Sequence, residues 1–253
     1  MLGFFRNRRR AHLRGQPFPA PWHSVLERHV PCYQRLAEQR RKALEGHVQV
    51  LLAEKHFEGC RGFVVDDRVR VTIAAHAAIL LLGRDMDYYR GLYTVLVYPG
   101  AFVVEYEEPD ELGFVDAESE VQEGQSWNLG TVVLSWQDIR RDVKKTDGRN
   151  VLFHEFAHQL YDHVGPGLDS RAANRRWRRA FGEHYQRHCD AVERQRGRRR
   201  SLIDPYGAED PSEFFAVLTE LFFERPDVMR RREPALYELF ARYYRQEPGG
   251  AAE

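Results

Sequence analysis

Cysteine is scarce in this sequence. The 253 residues include three cysteines, Cys32, Cys60 and Cys189, which are widely spaced and odd in number. None belongs to a Cys-x-x-Cys pair, so the pattern favours neither a disulfide framework nor a cysteine zinc site. The three residues are therefore expected to be free thiols.

Long apolar runs and an excess of charge of one sign are missing as well. No stretch approaches the roughly 20 apolar residues that a membrane-spanning helix needs, and the first residues do not form a signal peptide. Basic and acidic residues each number 38, so net charge does not indicate direct binding of nucleic acid. These absences predict a cytoplasmic protein with neither a membrane nor a nucleic acid as partner.

The sequence does contain enough apolar residues for a sizeable core, since 43% of it is hydrophobic and 12% aromatic. Residues 1–20 are rich in arginine and predict a flexible basic segment, with a basic interaction arm as the alternative. Residues 21–247 are expected to form one large domain. A division into two lobes, at 21–120 and 121–247, is the other arrangement that the length allows.

The most specific motif is His-Glu-x-x-His, which begins at His154. On an α-helix His154 and His158 point the same way, roughly 5 to 6 Å apart at Cβ, so one divalent cation can bind both. Glu155 lies about 100° further round the helix, beside the metal, where it suits a general base acting on water. The alternative is a helix whose histidines are only satisfied polar groups. The opposite side of this helix carries an apolar row at every fourth position, formed by Leu152, Phe156 and Leu160. This row predicts that the helix is buried on that side.

Glu213 is the candidate third metal ligand. It begins a segment, residues 211–223, that is apolar nearly all round, where an ionised carboxylate needs a cation or strong hydrogen bonds. The alternative is a helix cap: with Asp210 as N-cap, Glu213 would occupy the N3 position of a capping box. If Glu213 is not a ligand, Glu220 or Asp204 is the next candidate.

The motif also restricts the class of metal site. An extended HExxHxxGxxH site would need glycine at position 161 and histidine at 164, where this chain has Tyr161 and Val164. Two histidines and a later glutamate leave one coordination position open, as catalytic zinc sites do. Asp162 and Glu220 are candidates to orient the histidine rings through their NH groups.

Four motifs together resemble a known family: Tyr98-Pro99-x-x-Phe102-Val103-Val104, Gly124-Gln125-Ser126-Trp127, the His154 motif, and Asp204-x-Tyr206 followed by Pro211-x-Glu213-x-Phe215-Ala216-Val217. From about residue 20 to 247 the chain resembles the Mlc titration factor A family of bacterial zinc metallopeptidases, which is similar to the catalytic domain of anthrax lethal factor. The resemblance implies an α+β, zincin-like fold with a mixed sheet and an active-site helix.

The resemblance also implies roles for individual residues. Zinc (Zn2+) would be held by His154, His158 and Glu213, with Glu155 as the base and Tyr206 as a hydrogen-bond donor to the developing oxyanion. The implied activity is hydrolysis of a peptide or protein substrate, of an aminopeptidase type. The alternative function is a regulatory binding protein that sequesters a transcriptional repressor and has little catalytic role. Glu155 favours the enzyme, because a purely structural metal site does not need a base.

Overall fold

The computed structural model describes residues 2–100, 103–106, 118–121, 126–127, 130–164, 168, 170–194 and 201–249. Phe102, Gly124 and Gln125, which contribute to the family pattern, lie outside these ranges. Within them the helices are α1 Leu2–Arg14, α2 Ala20–His29, α3 Pro31–Arg35, α4 Glu38–Glu54, α5 Asp67–Leu80, α6 Trp136–Asp142, α7 Val151–Val164, α8 Arg171–Arg194, α9 Pro211–Glu224, α10 Pro226–Arg232 and α11 Pro234–Tyr244. Short 3-10 helices lie at Met86–Tyr89 and Pro205–Ala208. Among these described helices, none combines the length and apolar character needed to cross a membrane.

The strands form two sheets. They are β1 His56–Gly59, β2 Thr94–Tyr98, β3 Val103–Tyr106, β4 Glu118–Val121, β5 Ser126–Trp127 and β6 Thr131–Ser135. The larger sheet has the order β1-β2-β6-β5, in which β1, β2 and β6 are parallel and β5 is antiparallel to β6. Strands β3 and β4 form a separate antiparallel pair. The α+β class is confirmed, and the larger sheet is mixed, as the sequence predicts.

Helix α7 carries the His-Glu-x-x-His motif and is held rigidly at its start and along its apolar side. Asn150 is its N-cap, because Asn150 Oδ1 accepts hydrogen bonds from the backbone NH groups of Leu152 and Phe153. Leu152, Phe156 and Leu160 are fully or almost fully buried. The helix packs against α5, α9 and β6, so its remaining side is fixed in direction.

Helix α9 supplies the predicted third ligand. Asp210 Oδ1 accepts from the backbone NH groups of Ser212 and Glu213, and Pro211 occupies the first turn. Every side chain from Phe214 to Glu224 is buried, as the apolar pattern predicts. Because α9 packs alongside α7, Glu213 and Glu220 of α9 face the histidines of α7, and Glu224 faces Asn150.

The N-terminal segment differs from the expectation for residues 1–20. Leu2–Arg14 forms helix α1 instead of a flexible segment. Arg10 is buried and binds Glu54 through two nitrogens at 2.8 Å and Asp87 at 2.6 Å. These carboxylates compensate for the burial of the Arg10 charge. Both lie far from Arg10 in the sequence, so the composition of residues 1–20 could not predict them. The division of residues 21–247 into two lobes stays a prediction.

Candidate metal centre

His154, His158 and Glu213 converge between α7 and α9. One ligand atom from each residue lies within 4.8 Å of the other two. Nε2 of His154 is 3.0 Å from Glu213 Oε2, and Nε2 of His158 is 3.4 Å from Glu213 Oε1. The carboxylate therefore points at the histidines and not back along its own helix, while Asp210 caps α9. The structure thus brings together all three residues that the sequence nominates as ligands.

The other nitrogen of each histidine ring is also engaged. His154 Nδ1 donates to Glu220 Oε1 at 2.8 Å, and His158 Nδ1 forms a hydrogen bond with Ser212 Oγ at 2.7 Å. Both rings consequently present Nε2 to Glu213, the orientation in which they can share one metal ion. Glu220 occupies the orienting position predicted for it. The side chain of Asp162, the other candidate, lies outside the described residues.

Ser212 was missed by the sequence analysis. Its only signal is its place next to Glu213 in the first turn of α9, where a serine usually serves the helix start. Its hydroxyl instead reaches across to α7 and His158. A residue adjacent to a metal ligand on a helix can thus orient a second ligand.

Burial and the charges of neighbouring side chains determine the direction in which the pKa values of the site residues shift. Burial raises the pKa of Glu155 to about 7 and lowers the pKa of His158 to about 4. Burial also opposes a charge on His154, but the adjacent carboxylates of Glu213 and Glu220 outweigh it and raise the pKa of His154. In the metal-free protein, a protonated His154 therefore offsets part of the negative charge.

The residues present fit a divalent cation. Glu213 Oε2 and Glu155 Oε2 are buried, and neither has a hydrogen-bond partner in the described part of the chain. Glu213 Oε2 lies 3.0 Å from His154 Nε2 as an ion pair, and a cation held between these two atoms would replace that pair. Two imidazole nitrogens and one carboxylate oxygen form a suitable donor set that leaves room for a further ligand.

Tyr206 lies at the edge of this centre, in the 3-10 helix Pro205–Ala208. Its ring centroid is 6.0 Å from that of His154, and the residue is 46% exposed, so it borders solvent and the metal ligands at once. Burial and the carboxylate of Glu213 raise the pKa of Tyr206, so the phenol keeps its proton. A neutral phenol in this position can donate a hydrogen bond.

Asp204 holds the turn that carries Tyr206. One of its oxygens accepts from the backbone NH of Tyr206, and the other forms an ion pair with Arg149, directly before α7. Its backbone oxygen is 3.1 Å from His188 Nε2. The Asp204 carboxylate is therefore occupied outside the trio of ligand atoms, which makes it a poorer candidate ligand than Glu213.

Two histidines from one helix, a later glutamate and a buried glutamate beside them form the kind of centre found in metallopeptidases. The chain belongs to the family described as glucose-regulated metallo-peptidase M90, whose model matches residues 4–245. An uncharacterized protein of Synechocystis is 39% identical over 240 residues, covering 92% of this chain and 86% of the relative. Mlc titration factor A of Yersinia pestis and that of Yersinia pseudotuberculosis are each 33% identical over 240 residues, covering 90% of this chain and 85% of the relative. The family resemblance drawn from the motifs is thereby confirmed.

Proposed function

We propose that this protein is a zinc-dependent, zincin-like peptidase that acts in the cytoplasm, with His154, His158 and Glu213 as metal ligands. The observation that carries the proposal is the convergence of three ligand atoms from two buried helices within 4.8 Å. Membership of a metallopeptidase family supports the reaction class. The nitrogen and oxygen donor set supports zinc as the metal.

Each residue of the centre has a chemical task in this proposal. When bound by His154, His158 and Glu213, zinc would supply polarisation of the scissile carbonyl and a lowered pKa of water. Glu155 accepts the proton of the attacking water and later passes it to the leaving amine. Tyr206 donates a hydrogen bond to the oxygen on which negative charge develops. Glu220 and Ser212 hold the histidine rings so that Nε2 of each faces the metal position.

An aminopeptidase-like preference is part of the proposal. Glu209 is exposed and follows the Tyr206 turn directly, and its carboxylate, after burial and Glu213, helps to raise the pKa of Tyr206. A carboxylate at the rim of the site attracts the free ammonium group of a peptide N-terminus. Peptides with a free amino group should therefore be cleaved faster than their N-acetylated counterparts, and Glu209→Gln should reduce that difference.

Two matched substitutions test the metal centre. Glu213→Gln removes the negative charge from a ligand, so zinc affinity and activity should both fall strongly. Glu155→Gln should retain zinc but lose activity, because glutamine cannot accept the proton from water. The measurements are zinc content, zinc affinity and cleavage of chromogenic peptides, with circular dichroism as the control for folding.

Different results would reject different parts of the proposal. If Glu213→Gln bound zinc as tightly as wild type and kept its activity, Glu213 would not be a ligand, and its capping role would be the better explanation. If zinc-loaded wild type cleaved no member of a broad peptide panel, the protein would not be a peptidase. Equal activity with and without a chelator would reject metal-dependent hydrolysis.

The name of the Yersinia relatives, Mlc titration factor A, supports a second candidate function. In this alternative the protein binds a transcriptional regulator, such as an Mlc protein, and catalysis has little part. Glu155→Gln separates the two functions, since a folded variant without peptidase activity should still bind the regulator. Size-exclusion chromatography of the variant with purified Mlc would detect the complex.

A further inference from the structure

Helix α1 has one side fixed to the protein and one side turned away from it. Arg6 and Arg10 both form ion pairs with Asp87, and Arg10 also binds Glu54. Leu13 packs against the core on the same side. The helical repeat places Phe4, Phe5, Arg8 and His12 on the opposite side. The anchored side therefore fixes the direction in which the outer side faces.

The outer side carries an adjacent pair of exposed aromatic residues. Phe4 is 69% exposed and Phe5 is 63% exposed, and their rings contact each other edge to face at a centroid distance of 6.0 Å. Single apolar residues on a surface are ordinary, but two neighbouring phenylalanines form a small apolar patch. This patch is not explained by packing within the described chain.

The charge around the patch is positive. Residues 1–26 contain five arginines and no acidic residue, although basic and acidic residues balance over the whole chain. Arg6 and Arg10 are paired with carboxylates, whereas Arg8 and Arg9 are exposed beside the two phenylalanines. Within the described residues, Arg9 has one long hydrogen bond, 3.4 Å, to the backbone oxygen of Ala53. The outer side thus combines apolar rings with guanidinium groups available to an anion.

We propose that this outer side of α1 binds an anionic lipid surface. Phenylalanine rings can enter the boundary between head groups and acyl chains, and arginines beside them can pair with lipid phosphates. A protein partner fits less well, because a helix of about 20 Å offers little of the roughly 800 Å² that each partner of a stable complex buries. A lipid surface needs no such complementary shape.

The proposal revises the expectation of no membrane partner, which rested on the lack of a spanning segment. It concerns binding at the surface, with the helix lying along the membrane. It also agrees with the alternative expectation that residues 1–20 form a basic interaction arm, and it names anionic lipid as the partner. The ion pairs of Arg6 and Arg10 hold the arm to the body, so the whole protein would be carried to the lipid.

Vesicle sedimentation of the full chain tests the proposal. Wild type should bind vesicles of phosphatidylcholine with phosphatidylglycerol, and should bind pure phosphatidylcholine vesicles much less. The double variants Phe4→Ser with Phe5→Ser, and Arg8→Glu with Arg9→Glu, should each reduce binding to the anionic vesicles at least about tenfold. Circular dichroism and peptide cleavage should be unchanged, because neither pair touches the core or the metal centre.

Two further variants serve as matched controls. Val64→Ser removes an apolar residue that is 78% exposed elsewhere on the surface. Arg175→Glu with Arg178→Glu changes net charge by the same amount as the α1 charge variant, at two exposed arginines of α8. Both controls should bind vesicles as wild type does.

Three results would overturn the proposal. The first is no binding of wild type to anionic vesicles, and the second is retained binding by the Phe4/Phe5 variant. The third is an equal loss in the α8 charge variant, which would indicate attraction by overall charge. Binding to an acidic polypeptide but not to vesicles would assign the surface to a protein partner instead. None of these results depends on whether the protein is a peptidase.

Discussion

Glu220 joins two parts of the candidate site through one carboxylate. Oε1 accepts from His154 Nδ1 at 2.8 Å, and Oε2 accepts from the backbone NH of Asn150 at the start of α7. Both partners are donors, so the residue must offer two acceptors at once. The two oxygens of one side chain therefore fix both a ligand ring and the start of the helix that carries it, and an ionised carboxylate is the group that suits this task.

The substitution Glu220→Gln should weaken zinc binding about 10- to 100-fold. Glutamine has a single acceptor oxygen, so either His154 or Asn150 would meet an NH2 group. The matched control is Glu224→Gln, one turn later. Glu224 Oε1 accepts from Asn150 Nδ2, while Oε2 has no hydrogen-bond partner in the described residues, so glutamine can keep the contact that exists.

Zinc affinity measured by competition with a chromophoric chelator would compare these variants. Equal affinity for Glu220→Gln and wild type would show that the carboxylate does not orient His154. An equal loss in Glu224→Gln would point to general disturbance of the buried acidic cluster. Peptidase activity at saturating zinc should recover in Glu220→Gln more than in Glu213→Gln.

The sequence predicts the relative positions of site residues that lie at fixed spacing within one helix. It predicts contacts between helices that are distant in the sequence only in part. His154, Glu155 and His158 follow from helical geometry alone. Glu213 could be nominated because an acid in an apolar helix needs a partner, but its position against the histidines is set by the packing of α9 on α7. The contact of Ser212 with His158 and the pairing of Arg10 with Glu54 and Asp87 join residues far apart in the sequence, so no local pattern predicts them.

At the scale of elements, contacts with neighbouring helices hold the turn that carries Tyr206 in place. Gly207 allows a close approach to α9, since a Cβ there would lie 3.3 Å from Phe214 Cα. His188 is buried on α8 and contacts the backbone oxygen of Asp204. The ion pair between Arg149 and Asp204 adds a link from this turn to the start of α7. Tyr206 is thus positioned by three separate elements.

Loss of the Arg149 link should lower kcat without weakening zinc binding. Arg149 is exposed, so the pair contributes at most about 1 kcal/mol, which corresponds to roughly a fivefold loss for Arg149→Ala. Asp204→Asn removes the charge and keeps an oxygen for the NH of Tyr206, so it should have a similar effect. High salt should also lower the kcat of wild type, because it screens the ion pair between Arg149 and Asp204.

A double-mutant cycle with peptide cleavage as the measurement checks this link. Asp204→Asn should cause little further loss in the Arg149→Ala background. Arg175→Ala, at an exposed arginine of α8, is the control for removing a surface charge. Additive losses, or a parallel fall in zinc affinity, would contradict a role confined to the Tyr206 turn.

The placement of this turn could not be predicted from the sequence. The resemblance nominated Tyr206 as a family tyrosine, while without the resemblance a buried aromatic residue is the favoured interpretation. The structure places it half-exposed beside His154, because α8 and α9 contact its turn and Arg149 pairs with Asp204 at the start of that turn. Contacts among these elements depend on the tertiary fold, so the periodicity of a single segment cannot predict them.

At the scale of the whole molecule, the C-terminal segment closes the core over α5 and α9. Tyr244 is fully buried and its hydroxyl pairs with Thr219 of α9. Gln246 Nε2 donates to the backbone oxygen of Ile79 at 2.8 Å, which connects the chain after α11 to α5. Since α9 carries Glu213, the stability of this closure also supports the candidate metal centre.

Gly83, just beyond α5, is where this closure is tightest. A Cβ at Gly83 would lie 2.3 Å from the backbone oxygen of Tyr244 and 2.6 Å from that of Arg245. Gly83→Ala therefore forces α11 away from α5 and should lower the free energy of unfolding by about 1 to 3 kcal/mol. The control is Gly182→Ala in the middle of α8, where nothing lies within 4 Å of the added methyl group. That change should raise the free energy of unfolding by about 0.5 to 1 kcal/mol, because alanine has the higher helix propensity.

Urea unfolding of wild type and both glycine variants, followed by circular dichroism in excess chelator, measures these opposite shifts. Chelator is needed because a bound metal would add its own stabilisation and obscure a change in the core. Repeating the titration with saturating zinc should raise all three midpoints, with Gly83→Ala still the least stable. If Gly83→Ala matched wild type, the backbone of α11 would not approach Gly83 as closely as the structure has it, and the closure would have to rest on side-chain packing alone.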